Sequence, residues 1–212
     1  MGKNKPSLCS TCAMHLPDDV TTSPLYSLLK AVNPTDPVEP DFICITDSSW
    51  GDCDDKKSTG CYLIFLQGGL VDFSSFVPNP ITLSSAEAEI NAMTIGAMAT
   101  NYLRQVYCDV LFNDPSKPYT VPMFTDSSSG IFITQNERDT KRTRHIERRW
   151  LFIRQCRQNA YIVMYFIAGD DYNLADLGTK NCSSTASSYK LSICEVHVSD
   201  CPIHPSSVTD SR

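Results

Sequence analysis

The chain has 212 residues, of which 42% are hydrophobic and 20% are charged, and its formal net charge is -6 at pH 7. This length and balance are typical of a globular domain with one substantial core, so the composition excludes a disordered protein. Residues 1–17 lack an apolar stretch of signal-peptide length, and no segment reaches 18 consecutive apolar residues. We therefore expect a protein that is not secreted, has no membrane partner and acts in the cytoplasm or the nucleus.

The hydrophobic pattern predicts three strands, a long helix, and two further strands separated by helices. Gly68-Gly69 between the second and third strands is typical of a hairpin. A three-strand meander followed by strands that alternate with helices predicts an α/β fold with a mixed sheet. The predicted elements are a short helix in SPLYSLLKAV, strands at 42–46, 61–66 and 70–76, a helix from about Ser84, a strand at 121–125, helices after Asp126 and over RHIERRWLFIRQCRQ, a strand at 161–167 and a helical turn at NLADLGT.

The flanks of the chain differ from this central pattern. Residues 1–40 are proline-rich around the one short helix, and residues 182–212 are rich in serine, threonine and cysteine with weak periodicity. We predict a tail or linker at 1–40, a folded domain at 41–181 and a loosely ordered tail at 182–212.

Cysteine is frequent, with ten residues in the chain. Cys44, Cys61 and Cys108 lie in apolar patterns and are predicted to pack as free thiols in a reducing compartment. Cysteine and histidine also gather near both ends, at spacings that match no standard zinc finger, so incidental composition is favoured over zinc. These terminal residues are Cys9, Cys12, His15, Cys194, His197, Cys201 and His204.

Positive charge is concentrated in one part of this acidic chain. Eight of the 18 lysine and arginine residues fall between positions 138 and 157. Such a patch is expected where a protein contacts nucleic-acid phosphates, and a solvated helix face is the alternative interpretation. The charge pattern alone leaves both open.

Two glutamates stand two positions apart in ITLSSAEAEINAM, residues 81–93. Each helical residue turns by about 100°, so Glu87 and Glu89 point to roughly opposite sides. Glu87 shares its side with polar residues and is predicted to face water, whereas Glu89 shares its side with apolar residues and is predicted to face the core. A carboxylate turned towards apolar surroundings needs a cation or a proton. Glu89 is therefore the candidate for a chemical role.

Two strands end in the same way, since FICITDSS reaches Asp47 and VPMFTDSSS reaches Asp126. Ligands of open α/β sheets bind outside the carboxyl ends of the strands, so the two aspartates are predicted to lie side by side below Glu89, with Asp176 near them. Taken alone, an aspartate in this position is most often a helix N-cap. Together, four carboxylates without a basic partner would repel each other, and Mg²⁺ or Mn²⁺ would resolve that conflict.

Beyond these patterns, a series of sequence blocks resembles a known family. In this order they resemble the ribonuclease H domain of copia-type LTR retrotransposon Pol polyproteins, over residues 41–181. SSAEAE and RTRHIE are the most specific parts. The blocks are TDSSWGDCDDKKSTGCY, FSSFVPNPITLSSAEAEINAM, NYLRQ, FTDSSSGI, KRTRHIERRWLFIRQ and NLADLGTK.

This resemblance implies a ribonuclease H-like fold, a five-stranded mixed sheet with helices packed on it, and an endonuclease that cleaves the RNA strand of RNA–DNA hybrids. It implies two Mg²⁺ ions, with Mn²⁺ as a substitute, one to activate the attacking water and one to stabilise the departing 3′ oxygen. The implied partners are the hybrid and a reverse transcriptase domain or the rest of a Pol polyprotein. The implied catalytic and metal-binding residues are Asp47, Glu89, Asp126 and Asp176.

The residues beside these carboxylates are candidates for contact with the substrate. Serines next to the two strand-end aspartates could contact 2′-hydroxyl groups in the minor groove, with helix capping as the alternative. The basic helix could hold the phosphate backbone. The candidate residues are Ser48, Ser127, Ser128, Arg142, Arg144, His145, Arg148 and Arg149.

Two departures from the family pattern bear on turnover. Relatives often carry lysines where this chain has Phe76-Val77-Pro78, and no histidine lies in AGDDYN before Asp176. These departures motivate an alternative function, a catalytically impaired, domesticated or vestigial nucleic-acid-binding module of the same fold. A nuclease of the same superfamily that acts on DNA is a third interpretation.

Overall fold

The computed structural model describes residues 24–32, 41–78, 81–114, 116, 119–135, 147–180 and 184–194. Its centre is one sheet of five strands. The strands are β1 (Phe42–Ser49), β2 (Thr59–Leu66), β3 (Gly69–Phe76), β4 (Val121–Thr125) and β5 (Ile162–Phe166), and their order across the sheet is β3-β2-β1-β4-β5.

The sheet is mixed, as the sequence pattern predicts. The pairs β1–β2 and β2–β3 are antiparallel, because short connections join these strands. The pairs β1–β4 and β4–β5 are parallel, because helices carry the chain back before each next strand. This arrangement aligns the carboxyl ends of β1, β4 and β5 along one edge of the sheet.

Helices cover both faces of the sheet, so the central strand β1 is buried along almost its whole length. Phe42 and Cys44 belong to the core on one face, with residues of α2 and α4, and Ile43 and Ile45 belong to the core on the other face, with residues of α1 and α6. The helices are α1 (Pro24–Val32), α2 (Ser85–Phe112), α3 (Ser128–Gln135), α4 (Glu147–Gln158), α5 (Gly169–Tyr172), a 3₁₀ helix (Leu174–Gly178) and α6 (Ser184–Cys194).

The long helix α2 has a defined beginning and lies close to the sheet. Ser84 is its N-cap and accepts a hydrogen bond from the Glu87 backbone N–H at 3.1 Å. Gly96 allows the close approach, since a Cβ at this position would lie 2.7 Å from the Thr46 Cγ2 atom. The N-terminal turns of α2 are thereby fixed against β1.

The flanking segments contribute more to the fold than the tail prediction suggests. Leu25, Leu28 and Leu29 of α1 and Ile193 of α6 are buried in the same core. The described parts of both flanks therefore pack as helices on the sheet, whereas residues 182–212 were expected to be loosely ordered throughout. The other terminal cysteines and histidines lie outside the described residues, and Cys194 is a free cysteine.

Cys44, Cys61 and Cys108 are buried free cysteines, in agreement with their apolar sequence context. Burial raises the pKa of the Cys44 and Cys61 thiols to about 12, so both stay protonated and act as small apolar side chains. None of the helices that the structure describes combines the length and apolar character required to span a membrane.

Replacing a buried leucine of α1 tests whether this flank is part of the folded unit. Leu29→Ala is expected to lower the free energy of unfolding by about 2–4 kcal/mol, because it opens a cavity in the core. Leu191→Ala on α6 is the control, since that side chain is 50% exposed, and a change within about 0.5 kcal/mol is expected. Urea unfolding followed by circular dichroism measures both, and equal effects would contradict the packing of α1.

Candidate metal centre and nucleic-acid site

The parallel pairing of β1 and β4 places two aspartates next to each other. Thr46 of β1 pairs with Thr125 of β4, and the following residues of the two strands are Asp47 and Asp126. Both carboxylates therefore leave the sheet at the same edge, as the matching strand endings predict. Asp47 is fully buried, whereas Asp126 is half-buried and more open to solvent.

Glu89 completes a cluster of three carboxylates. It lies in the second turn of α2, and one oxygen each from Asp47, Glu89 and Asp126 lie within 4.8 Å of one another. Glu89 Oε1 accepts a hydrogen bond from the Ser48 hydroxyl at 2.7 Å. Its other oxygen, Oε2, is buried and has no hydrogen-bond partner among the described residues.

The pKa values of these three carboxyl groups are raised, because burial disfavours their charged forms. Burial raises the pKa of Asp47, the Thr179 hydrogen bond partly opposes this effect, and the resulting pKa is about 7. The pKa of Glu89 rises to about 8, through burial and then through the charges of Asp47 and Asp126. Burial also raises the pKa of Asp126. A divalent cation would stabilise the charged forms of these buried carboxylates. Clustered carboxylate oxygens are the ligands that Mg²⁺ and Mn²⁺ prefer. The residues present therefore fit such an ion.

Asp47 is held in a fixed orientation by residues that the sequence patterns did not single out. The Thr179 hydroxyl donates to Asp47 Oδ2. The Asn173 amide donates to the Thr46 carbonyl at 3.2 Å and to Asp47 Oδ1 at 3.4 Å. Both residues flank the 3₁₀ helix and were visible in the NLADLGTK block, but no local pattern indicates that they reach β1.

The fourth predicted carboxylate, Asp176, lies apart from the cluster of three and has basic partners. It is buried on the 3₁₀ helix, where its Oδ1 lies 2.6 Å from Lys180 Nζ and its Oδ2 lies 2.6 Å from Lys190 Nζ. Lys180 Nζ also lies 3.7 Å from Asp47 Oδ2. The expectation of four carboxylates without a basic partner is therefore wrong, because the 3₁₀ helix and α6 bring two ammonium groups to this position.

Lys180 remains charged in this position. Burial opposes its charge, but the hydrogen bond to Asp176 and the charges of Asp47, Asp176 and Asp126 outweigh burial and raise its pKa above the ordinary value. Lys180 belongs to the NLADLGTK block and could have been found there. Lys190 lies outside the region of resemblance and gave no sequence signal.

The prediction that Glu87 faces water is wrong. Its side chain is buried, with a relative exposure of 6%. Glu87 Oε2 accepts a hydrogen bond from the Leu83 backbone N–H at 2.7 Å, and Oε1 lies 3.9 Å from Arg149 Nη1 of α4. Helical periodicity gives the direction of the side chain, but it does not reveal that the entering chain and α4 cover that side.

The structure separates the predicted substrate-binding residues into different environments. Ser127 Oγ accepts from the Gly130 N–H at 3.0 Å and caps α3, which agrees with the capping alternative. Ser128 and Arg148 are exposed, Ser48 donates to Glu89, and Arg149 is paired with Glu87. Arg142, Arg144 and His145 lie outside the described residues.

Comparison with known proteins gives the chain a family context. No family model matches the chain. It is 30% identical, over 130 residues or 61% of its length, to the Retrovirus-related Pol polyprotein from transposon TNT 1-94 of Nicotiana tabacum. The chain is therefore similar in sequence to one part of a retrotransposon Pol polyprotein. It spans 9% of the length of that Pol polyprotein.

The sheet, with its order β3-β2-β1-β4-β5 and neighbouring aspartates near the carboxyl ends of β1 and β4, is the ribonuclease H-like fold expected from the resemblance. Among solved structures, it is similar to RNase H1 from Halobacterium salinarum NRC-1, with 11% identity, a TM-score of 0.49 and coverage of 65% of this chain and 93% of that chain. A compost-derived RNase H1 in complex with an RNA/DNA hybrid has 14% identity and a TM-score of 0.48, with coverage of 69% of this chain and 99% of that chain.

A matched pair of substitutions distinguishes the two glutamates of α2. Glu89→Gln is expected to remove the rise in melting temperature that Mg²⁺ causes, because it removes a ligand from the cluster of three. Glu87→Gln is expected to keep that rise and to lower stability by about 1 kcal/mol, because it weakens the helix N-terminus and the Arg149 pair. Thermal unfolding by circular dichroism with Mg²⁺ and with EDTA measures both. Loss of the response in Glu87→Gln alone would reverse the assignment.

The raised pKa values predict how stability depends on pH in the absence of metal. Asp47 and Glu89 have pKa values of about 7 and 8 in the folded protein, above their ordinary values of 3.8 and 4.5. The folded state thus keeps protons that the unfolded chain has already released, so the stability that these two groups contribute is fully present at low pH and is lost as the pH rises from about 4 to 8.

Mg²⁺ is expected to add more stability at pH 8 than at pH 5, because it binds the deprotonated carboxylates. Denaturant unfolding at several pH values, with EDTA or Mg²⁺, measures this dependence. The double variant Asp47→Asn, Glu89→Gln is the control and should give a flatter profile. A stability that rises between pH 5 and 8 in EDTA, and to the same extent in the control, would contradict the assignment.

Proposed function

We propose that the chain is a metal-dependent endonuclease that hydrolyses the RNA strand of RNA–DNA hybrids. The observation that carries this proposal is the convergence of Asp47, Glu89 and Asp126 within 4.8 Å at the carboxyl edge of a ribonuclease H-like sheet. The relationship to a retrotransposon Pol polyprotein supports it, because copying RNA into DNA produces such hybrids. The fold alone would not support an activity, since one fold hosts many functions.

The cluster of three would hold one Mg²⁺ or Mn²⁺ ion, and Asp176 would contribute to a second. When bound, the ions supply Lewis-acid chemistry, which makes a water molecule nucleophilic and stabilises the departing oxygen. The protein holds the ligands in place beforehand. Thr179 and Asn173 fix the Asp47 carboxylate and Ser48 fixes one oxygen of Glu89, so little reorganisation is required when the substrate binds.

The exposed side chains and the cavity at this edge of the sheet are the candidates for contact with the substrate. Ser128 and Arg148 are exposed and free of the structural contacts that occupy Ser127 and Arg149. A cavity of about 480 Å³ lined by residues that include Ser49, Thr179 and Lys180 adjoins Asp47.

We infer that the RNA strand crosses this edge of the sheet, with 2′-hydroxyl groups near the serines and phosphates near the basic residues. Arg142, Arg144 and His145 are included as phosphate contacts on the strength of the sequence resemblance. We further propose that a reverse transcriptase domain, or the rest of a Pol polyprotein, is the partner of this chain in the full element, in the cytoplasm or the nucleus.

One observation favours the alternative of a catalytically impaired, domesticated or vestigial nucleic-acid-binding module. Both oxygens of Asp176 are paired with lysines, at 2.6 Å each, so an ion that binds this carboxylate would compete with two ammonium groups. A module that keeps the fold and the exposed Arg148 could still bind nucleic acid. Direct measurement of cleavage separates the two functions.

A cleavage assay tests the proposed enzyme. The purified chain is incubated with an end-labelled RNA–DNA hybrid, duplex RNA or duplex DNA in Mg²⁺ or Mn²⁺, and we expect cleavage of the RNA strand of the hybrid alone. Asp126→Asn is expected to lower the cleavage rate at least about hundredfold, because the ligand set of the ion is broken. Asp55→Asn is the matched control, since Asp55 is an exposed aspartate paired with Lys57 away from the cluster.

The assay also identifies the competing functions. A folded protein that binds the hybrid without cleaving it in either metal would support the binding module. Cleavage of duplex DNA would support a DNA nuclease of the same superfamily. Equal loss of activity in Asp55→Asn and Asp126→Asn would show that the cluster of three is not the site.

A further inference from the structure

The two lysines that bind Asp176 differ in their freedom to move. Lys190 of α6 is buried, with a side-chain exposure of 3%, and its Nζ lies 2.6 Å from Asp176 Oδ2 and 2.9 Å from the Asn173 carbonyl oxygen. Lys180 has a side-chain exposure of 36%, and its Nζ lies 2.6 Å from Asp176 Oδ1 and 3.7 Å from Asp47 Oδ2. One ammonium is enclosed by protein, and the other lies at the edge of solvent.

This difference determines which contact can open. Moving Lys190 away would leave a buried charge without its partner, so its contact with Asp176 is fixed. Lys180 has a flexible stem of four carbons, and its ammonium can turn into water without leaving a buried charge of its own. The contact between Lys180 and Asp176 Oδ1 can therefore open while the contact between Lys190 and Oδ2 stays closed.

The sum of the charges at the site also indicates that Lys180 opposes the binding of a second ion. Four carboxylates, from Asp47, Glu89, Asp126 and Asp176, lie at this edge of the sheet, where Lys180 contacts Asp47 and Asp176 and Lys190 contacts Asp176. One divalent ion in the cluster of three would bring this group to neutrality. A second divalent ion would then give the group an excess of positive charge unless Lys180 withdrew or a substrate phosphate entered.

We propose that Lys180 is a tethered cation between Asp47 and Asp176 that would compete with a second divalent ion, and that Lys190 holds Asp176 in position when Lys180 withdraws. This inference rests on the proposed function, because it requires the metal centre. Both lysines are positioning residues. The consequence is that the first ion binds tightly and the second binds weakly in the absence of nucleic acid.

Counting bound Mn²⁺ tests this proposal independently of activity. Electron paramagnetic resonance of free Mn²⁺ is used to titrate the full chain, Lys180→Met and Lys180→Gln, each checked for folding by thermal unfolding. We expect one tight and one weak ion in the unaltered chain, and a second ion bound roughly fivefold more tightly in both variants. A lysine with only a structural role would not improve metal binding when removed.

The matched control is Lys57→Met, which removes the same charge from an exposed lysine–aspartate pair at 2.6 Å outside the site. Its second Mn²⁺ affinity should be unchanged. Equal tightening in Lys57→Met would assign the effect to net charge, and unchanged or weaker binding in both Lys180 variants would overturn the proposal. A crystal structure of the Mn²⁺-saturated chain should keep Lys190 on Asp176 Oδ2 with Lys180 displaced. Two bound ions with Lys180 still on Oδ1 would overturn it as well.

Failure of this inference can be told apart from failure of the proposed function. If the unaltered chain binds no Mn²⁺ and cleaves no hybrid, the metal centre itself is refuted, and this proposal with it. If it binds two ions and cleaves the hybrid, but the Lys180 variants bind the second ion as the unaltered chain does, only the role of Lys180 is refuted.

Discussion

Burial of neighbouring carboxylates at one edge of the sheet is the constraint on which the rest of the site depends. The parallel pairing of β1 and β4 brings Asp47 beside Asp126, and the close packing of α2 on β1 brings Glu89 to the same point. Left alone, these groups have raised pKa values, because burial disfavours their charged forms. The surrounding hydroxyl, amide and ammonium groups compensate part of the cost of burying these negative charges. A bound cation would compensate the rest.

Residues from distant parts of the chain bind and stabilise the buried carboxylates. Thr179 and Asn173 near the 3₁₀ helix bind Asp47, and Lys190 of α6 binds Asp176. Because β1 is covered on both faces, none of these groups can move far from the carboxylates they bind. A functional edge that would be unstable on an isolated sheet is thus stabilised by the packing of both helical layers.

Local patterns were enough to predict the sheet and three members of the site. Alternating and continuous apolar runs located the five strands, the matching strand endings located Asp47 and Asp126, and helical periodicity selected Glu89 over Glu87. These features depend on neighbours in sequence, which is why they could be predicted. The sequence also carried the family resemblance, and with it the expectation of a five-stranded mixed sheet with helices packed on it.

The features that were missed depend on contacts between distant residues. Glu87 is buried because α4 and the chain before α2 cover it, which a helical projection cannot include. The helix α1 was assigned to a tail because proline-rich stretches surround it, and α6 because its segment is rich in serine, threonine and cysteine. Both nevertheless bury leucine or isoleucine against the far face of the sheet. Lys190 gave no signal, since a lysine in a serine-rich stretch is ordinarily a solvated side chain.

The position of Lys190 on α6 changes where the boundary of the functional unit lies. The family resemblance ends at residue 181, and a chain shortened there would keep every carboxylate of the site and all five strands. It would nevertheless lose the buried ammonium that holds Asp176, together with the isoleucine that α6 adds to the core. The folded domain therefore extends beyond the region of sequence resemblance. A domain boundary drawn from that resemblance alone would leave out α6.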